Sequence, residues 1–232
     1  MNDREWLRHF TEEVAHRAAR PEPDWSQEVC LHPAVIRSIQ RFQVGEDGDG
    51  TNLIAKAGDG DYGATVKLFI AEEQNHARML ANLLKAADTP TIASHWTDAA
   101  FVWLRRALGL RLQLMVLTIA EVVALVFYRA LRDGTTDKLT TEVARRILAD
   151  ERRHVPFHRD RLRSLGGLPW VARAGWRLLF FGATLVVLLD HGSAMRVLGV
   201  SRSAFLREAM TEFTVASDLP AVTKGRAVQS VG

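Results

Sequence analysis

The sequence predicts an all-α protein, and three observations carry that prediction. Apolar residues recur at alternating steps of three and four rather than two, which is the helical period; strand signals are nearly absent; and glycine-rich breaks divide the chain into segments of helical length. With 232 residues and 47% hydrophobic content, the chain can bury one sizeable core and at most a small appendage. The elements follow in order. Residues 1–31 form an N-terminal segment in which Trp6, Phe10 and Val14 mark a short amphipathic helix. Four long helices are expected at Pro33–Ala57, Ala64–Ala87, Gly109–Arg132 and Thr136–Leu165, together a main domain over 32–166. They are separated by Gly58–Gly63, by a long connection from Asp88 that suits a crossover with a short helix near Ala99–Leu108, and by the tight Asp133-Gly134-Thr135 turn. An extension over 167–216 adds an apolar helix near Val171–Asp190 and an amphipathic one near Ser203–Ala216. Residues 217–232 read as a flexible tail.

Composition narrows the function. Cys30 is the only cysteine, so no internal disulfide and no Cys-x-x-Cys motif exists, and a reducing, cytoplasmic setting is expected. A formal charge of +3 with scattered arginines gives no expectation of nucleic-acid binding. The N-terminus mixes acids with arginines and lacks a continuous apolar run, so no targeting peptide is expected. Leu112–Tyr128 is interrupted by Gln113, Thr118 and Glu121, and Leu178–Leu189 falls short of the roughly 20 residues a membrane span needs. Both read as buried core helices. Trp170, Arg173, Trp176 and Arg177 precede the second run, which makes a peripheral membrane seat the lesser alternative to packing on the bundle or on a second copy in a homodimer.

The chemistry lies in two Glu-x-x-His motifs, Glu73 with His76 in IAEEQNHARML and Glu151 with His154 in ILADERRHVPF. Val66, Phe69, Glu73, His76, Leu80 and Leu83 share one stripe, as do Ala144, Ile147, Glu151, His154, His158 and Leu162, so both motifs face inward. Glu121 lies on a third stripe with Leu114, Leu117, Ala124, Tyr128 and Leu131. An unpartnered buried carboxylate costs several kcal/mol, so it must protonate, pair with a cation or bind metal. The stretch GEDGDGTN looks like a loop, yet Ile39, Phe42, Glu46, Gly50, Leu53 and Ala57 step as one stripe, so a continuous helix carrying Glu46 inward is expected. An EF-hand beginning at Asp47 fails, because its twelfth position is Gly58.

The result is a twofold pattern of lone Glu, turn, Glu-x-x-His, the ligand set of carboxylate-bridged dinuclear sites in four-helix bundles. Four carboxylates balance two divalent ions. Oxygen-rich ligation with one imidazole per metal suits iron or manganese better than zinc. Asp150 is a candidate to orient a histidine of the opposite motif through its second ring nitrogen, whereas Glu72 reads more readily as a solvated acid. His158, beyond Pro156, is a candidate lining residue, and Pro156 should kink its helix. No catalytic residue beyond the ligands is assigned, and Tyr128 reads as a packed core tyrosine.

On QVGEDGDGTNLIAKA, FIAEEQNHARML and ILADERRHVPFH, the chain resembles bacterial ferritin-like di-iron proteins of the ferritin, rubrerythrin and ribonucleotide-reductase-like class, over about Pro33–Leu165. The resemblance implies a ferritin-like four-helix bundle with a long crossover. It also implies two iron ions, or manganese, bridged by Glu73 and Glu151, capped by Glu46 and Glu121, and bound by His76 and His154. The chain departs from rubrerythrins in lacking a cysteine-ligated iron site, and from storage ferritins in its extra C-terminal helices. The expected function is activation of O2 or peroxide by an oxidase or oxygenase whose small-molecule substrate and electron donor the sequence does not specify. The alternatives are a ferroxidase or other metal-handling or oxidative-stress protein, and a metal-stabilised structural or partner-binding module. An organic substrate requires an apolar cavity reaching the metals, a ferroxidase an acidic entry path, and a structural module neither.

Overall fold

The computed structural model describes residues 1–48, 50–106 and 109–219. Among them are nine helices and no β-strand: α1 (Asp3–Ala18), α2 (Pro33–Glu46), α3 (Thr51–Ala57), α4 (Asp61–Ala86), α5 (Trp96–Arg106), α6 (Leu110–Gly134), α7 (Lys138–Ser164), α8 (Trp170–Val197) and α9 (Arg202–Ala216). The fold is all-α. Local chemistry sets several starts. The Asn2 side chain accepts from the Glu5 amide while Glu5 reaches back to Asn2, α2 opens with Pro33 after a His32 cap, and Asp137 accepts from Thr140 N–H at 2.7 Å.

α2 packs on α4, α4 on α7 and α6 on α7, and one contiguous hydrophobic core runs from Trp6 to Leu219. α1 lies along α4 and sets Phe10 against Phe157 with ring centroids 5.2 Å apart. α8 lies against α2, where Arg41 meets Asp190 at 2.8 Å, and is tied to α6 by Trp176 donating to the Met115 carbonyl at 2.9 Å. α9 closes over α6, α8 and α7. α7 continues through Pro156 to Ser164.

The structure corrects the expected helix over Pro33–Ala57, which is broken: α2 ends at Glu46 and α3 starts at Thr51. Gly50 has φ +62°, and a Cβ there would lie 2.4 Å from the Ile70 side chain of α4, so both conformation and close approach require glycine. At the next turn α4 begins at Asp61 rather than Ala64, because Gly63 tolerates helical packing where a Cβ would lie 1.9 Å from the Gly58 carbonyl. The short helix expected at Ala99–Leu108 is α5; Ala107 and Leu108 fall outside the described residues, as does the expected tail beyond Leu219, itself buried.

α6 and α8 are both long and apolar enough to cross a membrane by length and composition. The expectation that both are buried holds for α6 alone. Only 39% of the most apolar stretch of α8 is covered, with Leu178, Phe181, Leu185 and Leu189 exposed.

Candidate metal centre

Four helices deliver the acids and histidines to one place. Glu46 is the last residue of α2, Glu73 and His76 lie mid-α4, Glu121 mid-α6, and Glu151 and His154 mid-α7. Their stripe neighbours Phe69, Leu80, Leu114 and Ile147 are fully buried, so the apolar packing that fixes each helix also fixes its acid. Glu121, Glu151, His76 and His154 are buried, Glu46 nearly so, and Glu73 retains slight exposure.

All six residues predicted from sequence come together, in two overlapping groups. Glu46, Glu73, His76 and Glu151 form one, and Glu73, Glu121, Glu151 and His154 the other, each offering ligand atoms within 4.8 Å of one another. Each group could hold a metal ion, and Glu73 and Glu151 belong to both. His76 Nδ1 lies 3.3 Å from Glu151 Oε1 and 3.6 Å from Glu73 Oε1. His154 Nδ1 lies 3.1 Å from Glu73 Oε1, 3.3 Å from Glu121 Oε2 and 3.5 Å from Glu151 Oε2. Glu73 Oε1, His76 Nδ1 and both carboxylate oxygens of Glu151 are buried without a hydrogen-bond partner. Buried polar atoms are almost always satisfied, so four such atoms converging on one point fit a cation between them.

Behind each histidine stands a carboxylate from the opposite motif. His76 Nε2 is 3.1 Å from Asp150 Oδ2, and His154 Nε2 is 2.8 Å from Glu72 Oε2. These contacts hold a proton on each Nε2 and turn each Nδ1 toward the acids, the orientation in which Nδ1 could serve as a metal ligand once its own proton is lost. Glu72, read from sequence as a solvated acid, is fully buried. It is neutralised by Arg17 of α1 and by Arg153, whose guanidinium nitrogen lies 3.2 Å from Glu72 Oε1; both arginines also contact Asp150. Nothing in the sequence signals the Arg17 contact, since it joins helices far apart in the chain. Tyr128 is the packed core tyrosine expected, and its hydroxyl has a partner that the sequence reading does not assign: it donates to Glu46 Oε1 at 2.7 Å. Its place on the Glu121 stripe, and the rule that a buried tyrosine hydroxyl needs a partner, was the available signal. His158 is fully buried with Nε2 3.5 Å from Glu121 Oε1 and packs edge-on against Phe69.

Without a cation the acids repel and titrate apart. Burial, then the charge of Glu73, holds Glu46 well above the ordinary range; burial and Glu121 raise Glu73 and push Glu151 up to about 7. Glu121 goes the other way: burial opposes ionisation there, but the hydrogen bond from His154 and the nearby His158 ring outweigh it and lower its pKa. Burial would also depress His76 and His154, yet Asp150 and Glu151 raise the first and Glu151 and Glu121 the second. Burial likewise works against ionised Asp150 and Glu72, and their hydrogen bonds to the two imidazoles win, keeping both lowered. The cluster thus carries protons where a metal would carry charge.

Two openings reach the cluster. A cavity of about 200 Å³ between α2, α6 and α8 touches Glu46, Glu73 and Glu121, and its walls include Phe42, Leu117, Ile119, Val123, Ala183 and Val187. Arg41, Thr97 and His191 supply its polar edge. The His191 ring is held neutral, since burial lowers its pKa to about 4, and its Nδ1 lies 2.5 Å from Ser38 Oγ. A smaller space of about 40 Å³, lined by Gly45, Gly48 and Gly50, meets Glu46 and Glu73 beneath the α2–α3 break.

No protein-family model, curated protein or solved structure matches the chain.

Proposed function

We propose that the chain is a ferritin-like bundle holding a dinuclear non-haem iron centre, or an iron–manganese one, that activates O2 or peroxide to oxidise a small organic molecule. The observation that carries the reading is the overlap of the two ligand groups through Glu73 and Glu151. Shared carboxylates are what a pair of adjacent ions requires, and four acids with two neutral imidazoles balance two divalent charges. Oxygen-rich donors favour iron or manganese. When bound, the ions supply Lewis acidity and, for iron, the electrons that O2 reduction consumes.

The chain's own residues have distinct tasks. Glu46 and Glu121 close the two ends, and Tyr128 fixes the rotamer of Glu46 by donating to Oε1, leaving Oε2 turned toward His76. Asp150 and Glu72 hold the Nε2 protons, so that both histidines present Nδ1. Arg17 and Arg153 keep those outer carboxylates ionised from outside the centre. The aliphatic walls of the larger cavity would suit an apolar substrate beside Glu46, Glu73 and Glu121.

Anaerobic protein loaded with Fe(II) should consume O2 faster than the same Fe(II) in buffer, and Glu46→Ala should lose most of that rate. Wild type no faster than buffer would favour a structural role for the centre. A ferroxidase is the second reading, favoured by the small space beneath the glycines, which meets the carboxylates of Glu46 and Glu73 and, at about 40 Å³, is too small for an organic substrate. It is separated by turnover: a ferroxidase keeps oxidising added Fe(II) well beyond two equivalents per chain, whereas the substrate-oxidising reading predicts that oxidation stalls there without a reductant.

A further inference from the structure

α8 is a 28-residue helix with one face on α2, α6 and α9 and the other bare. Leu178, Leu179, Phe181, Leu185, Val186 and Leu189 are exposed, Leu178 by 73% and Leu189 by 80%, and no charged residue lies between them. At about 100° per residue these six fan over about 160° of the helix. Exposed Arg177 precedes the run and exposed Arg196 follows it, while the acid of α8, Asp190, is turned inward onto Arg41. Trp170, 79% exposed, begins the helix.

We infer that the outer face of α8 rests on a lipid bilayer with anionic headgroups, so that the cavity leading to the metal centre opens beside the bilayer and takes an apolar substrate dissolved in it. The breadth of the apolar arc argues for lipid over a second copy. A partner helix covers a stripe of about 100°, and a convex ridge packed on its own copy would leave Leu179 and Phe181 wet on opposite flanks. Acyl chains conform to a ridge and cover it entirely. The charge pattern agrees: exposed charges that are cationic and confined to the two ends of the run meet anionic headgroups while the middle enters the acyl boundary, and an exposed tryptophan at one end is the usual occupant of that boundary. The cavity ties this face to the chemistry. Its walls include Ala183 and Val187, and Ala183 lies one turn beyond Leu179, about 40° further round the helix, so the lipid-facing arc runs to the cavity's edge. The substrate class rests on the metal-centre reading proposed above; the lipid contact does not.

The test is sedimentation of the full chain with vesicles of phosphatidylcholine alone or mixed with phosphatidylglycerol, performed on metal-free and metal-loaded protein. Wild type should pellet with the anionic vesicles in both states and shift its tryptophan emission to the blue, a shift diminished in Trp170→Phe. The double variant Leu178→Glu, Leu189→Glu, with unchanged helicity and metal content, should partition about a hundredfold more weakly, since each leucine removed from an apolar contact is worth roughly tenfold or more. Because both residues are exposed, the variant is expected to fold. Two results would overturn the inference: wild type left in the supernatant with every vesicle, or pelleting unaffected by the double variant. Vesicle-independent dimers that the double variant dissociates would assign the face to a second copy instead. Failure of the metal-centre reading would appear separately, as vesicle binding by protein that holds no iron or manganese.

Discussion

At the scale of single residues, the two shared glutamates differ from the two terminal ones, and metal content should reveal it. Glu73→Ala removes a donor from both groups and should leave little tightly bound metal, whereas Glu46→Ala and Glu121→Ala each strip one group and should leave about one equivalent. Elemental analysis of the three variants checks this; equal losses in all three would contradict the shared-carboxylate arrangement. Acidity provides a second test. Glu46, Glu73 and Glu151 have raised pKa values in the metal-free fold, so their contribution is full below the unfolded value of about 4.3 and is lost as pH rises toward about 7 for Glu151. Raised His76 and His154 add a loss of the same sign above about pH 6.5, while lowered Glu121, Asp150 and Glu72 cost stability only on acidification below about pH 4. Metal-free protein should therefore melt lower at pH 8 than at pH 5, and the increment in Tm from added metal should grow over the same interval. A metal-free Tm that rises from pH 5 to pH 8 would contradict the protonated cluster.

At the scale of elements, the α2–α3 break is where sequence and structure part. The acids were legible because helical periodicity places Glu73, His76, Glu121, Glu151 and His154 among aliphatics without knowledge of the neighbours. The break was not legible because the end of α2 at Glu46 and the start of α3 at Thr51 lie about one helical turn apart in sequence, so the stripe through Ile39, Glu46 and Leu53 stays in phase across a gap that periodicity cannot register. What distinguishes helix from break is the positive φ of Gly50 and the pressure of Ile70, and neither is a local property. The same holds for Arg17 on Glu72 and Tyr128 on Glu46, contacts set by how helices lie together. Asp150 and Glu72 each precede a shared glutamate and point about 100° round the helix from it, a position that periodicity leaves open between solvent and a neighbouring helix, so Asp150 was legible only as a candidate and Glu72 was not. Substitutions test the break directly. Gly50→Ala should destabilise by about 1–3 kcal/mol, through left-handed strain and displacement of Ile70, whereas Gly45→Ala, within α2 and with nothing within 4 Å of its Cβ, should be neutral or stabilising by up to about 1 kcal/mol. Chemical denaturation of both variants measures the contrast, and equal effects would mean the chain does not turn at Gly50.

At the scale of the whole molecule, the helices outside the four ligand-bearing ones belong to the centre as much as to the shell. α1 delivers Arg17 to the outer carboxylates, α5 and α8 supply Thr97, Ala183 and Val187 to the larger cavity, and one hydrophobic core joins them. If the four inward acids hold cations as proposed, metal should be the largest single contributor to stability beyond the core. The most direct measurement is an anaerobic titration of metal-free wild type with Fe(II), followed by Tm and by retained iron after desalting. The account predicts a rise in Tm that breaks at two equivalents per chain, with two irons retained. A break at one equivalent, or no rise and no retained iron, would contradict a dinuclear centre.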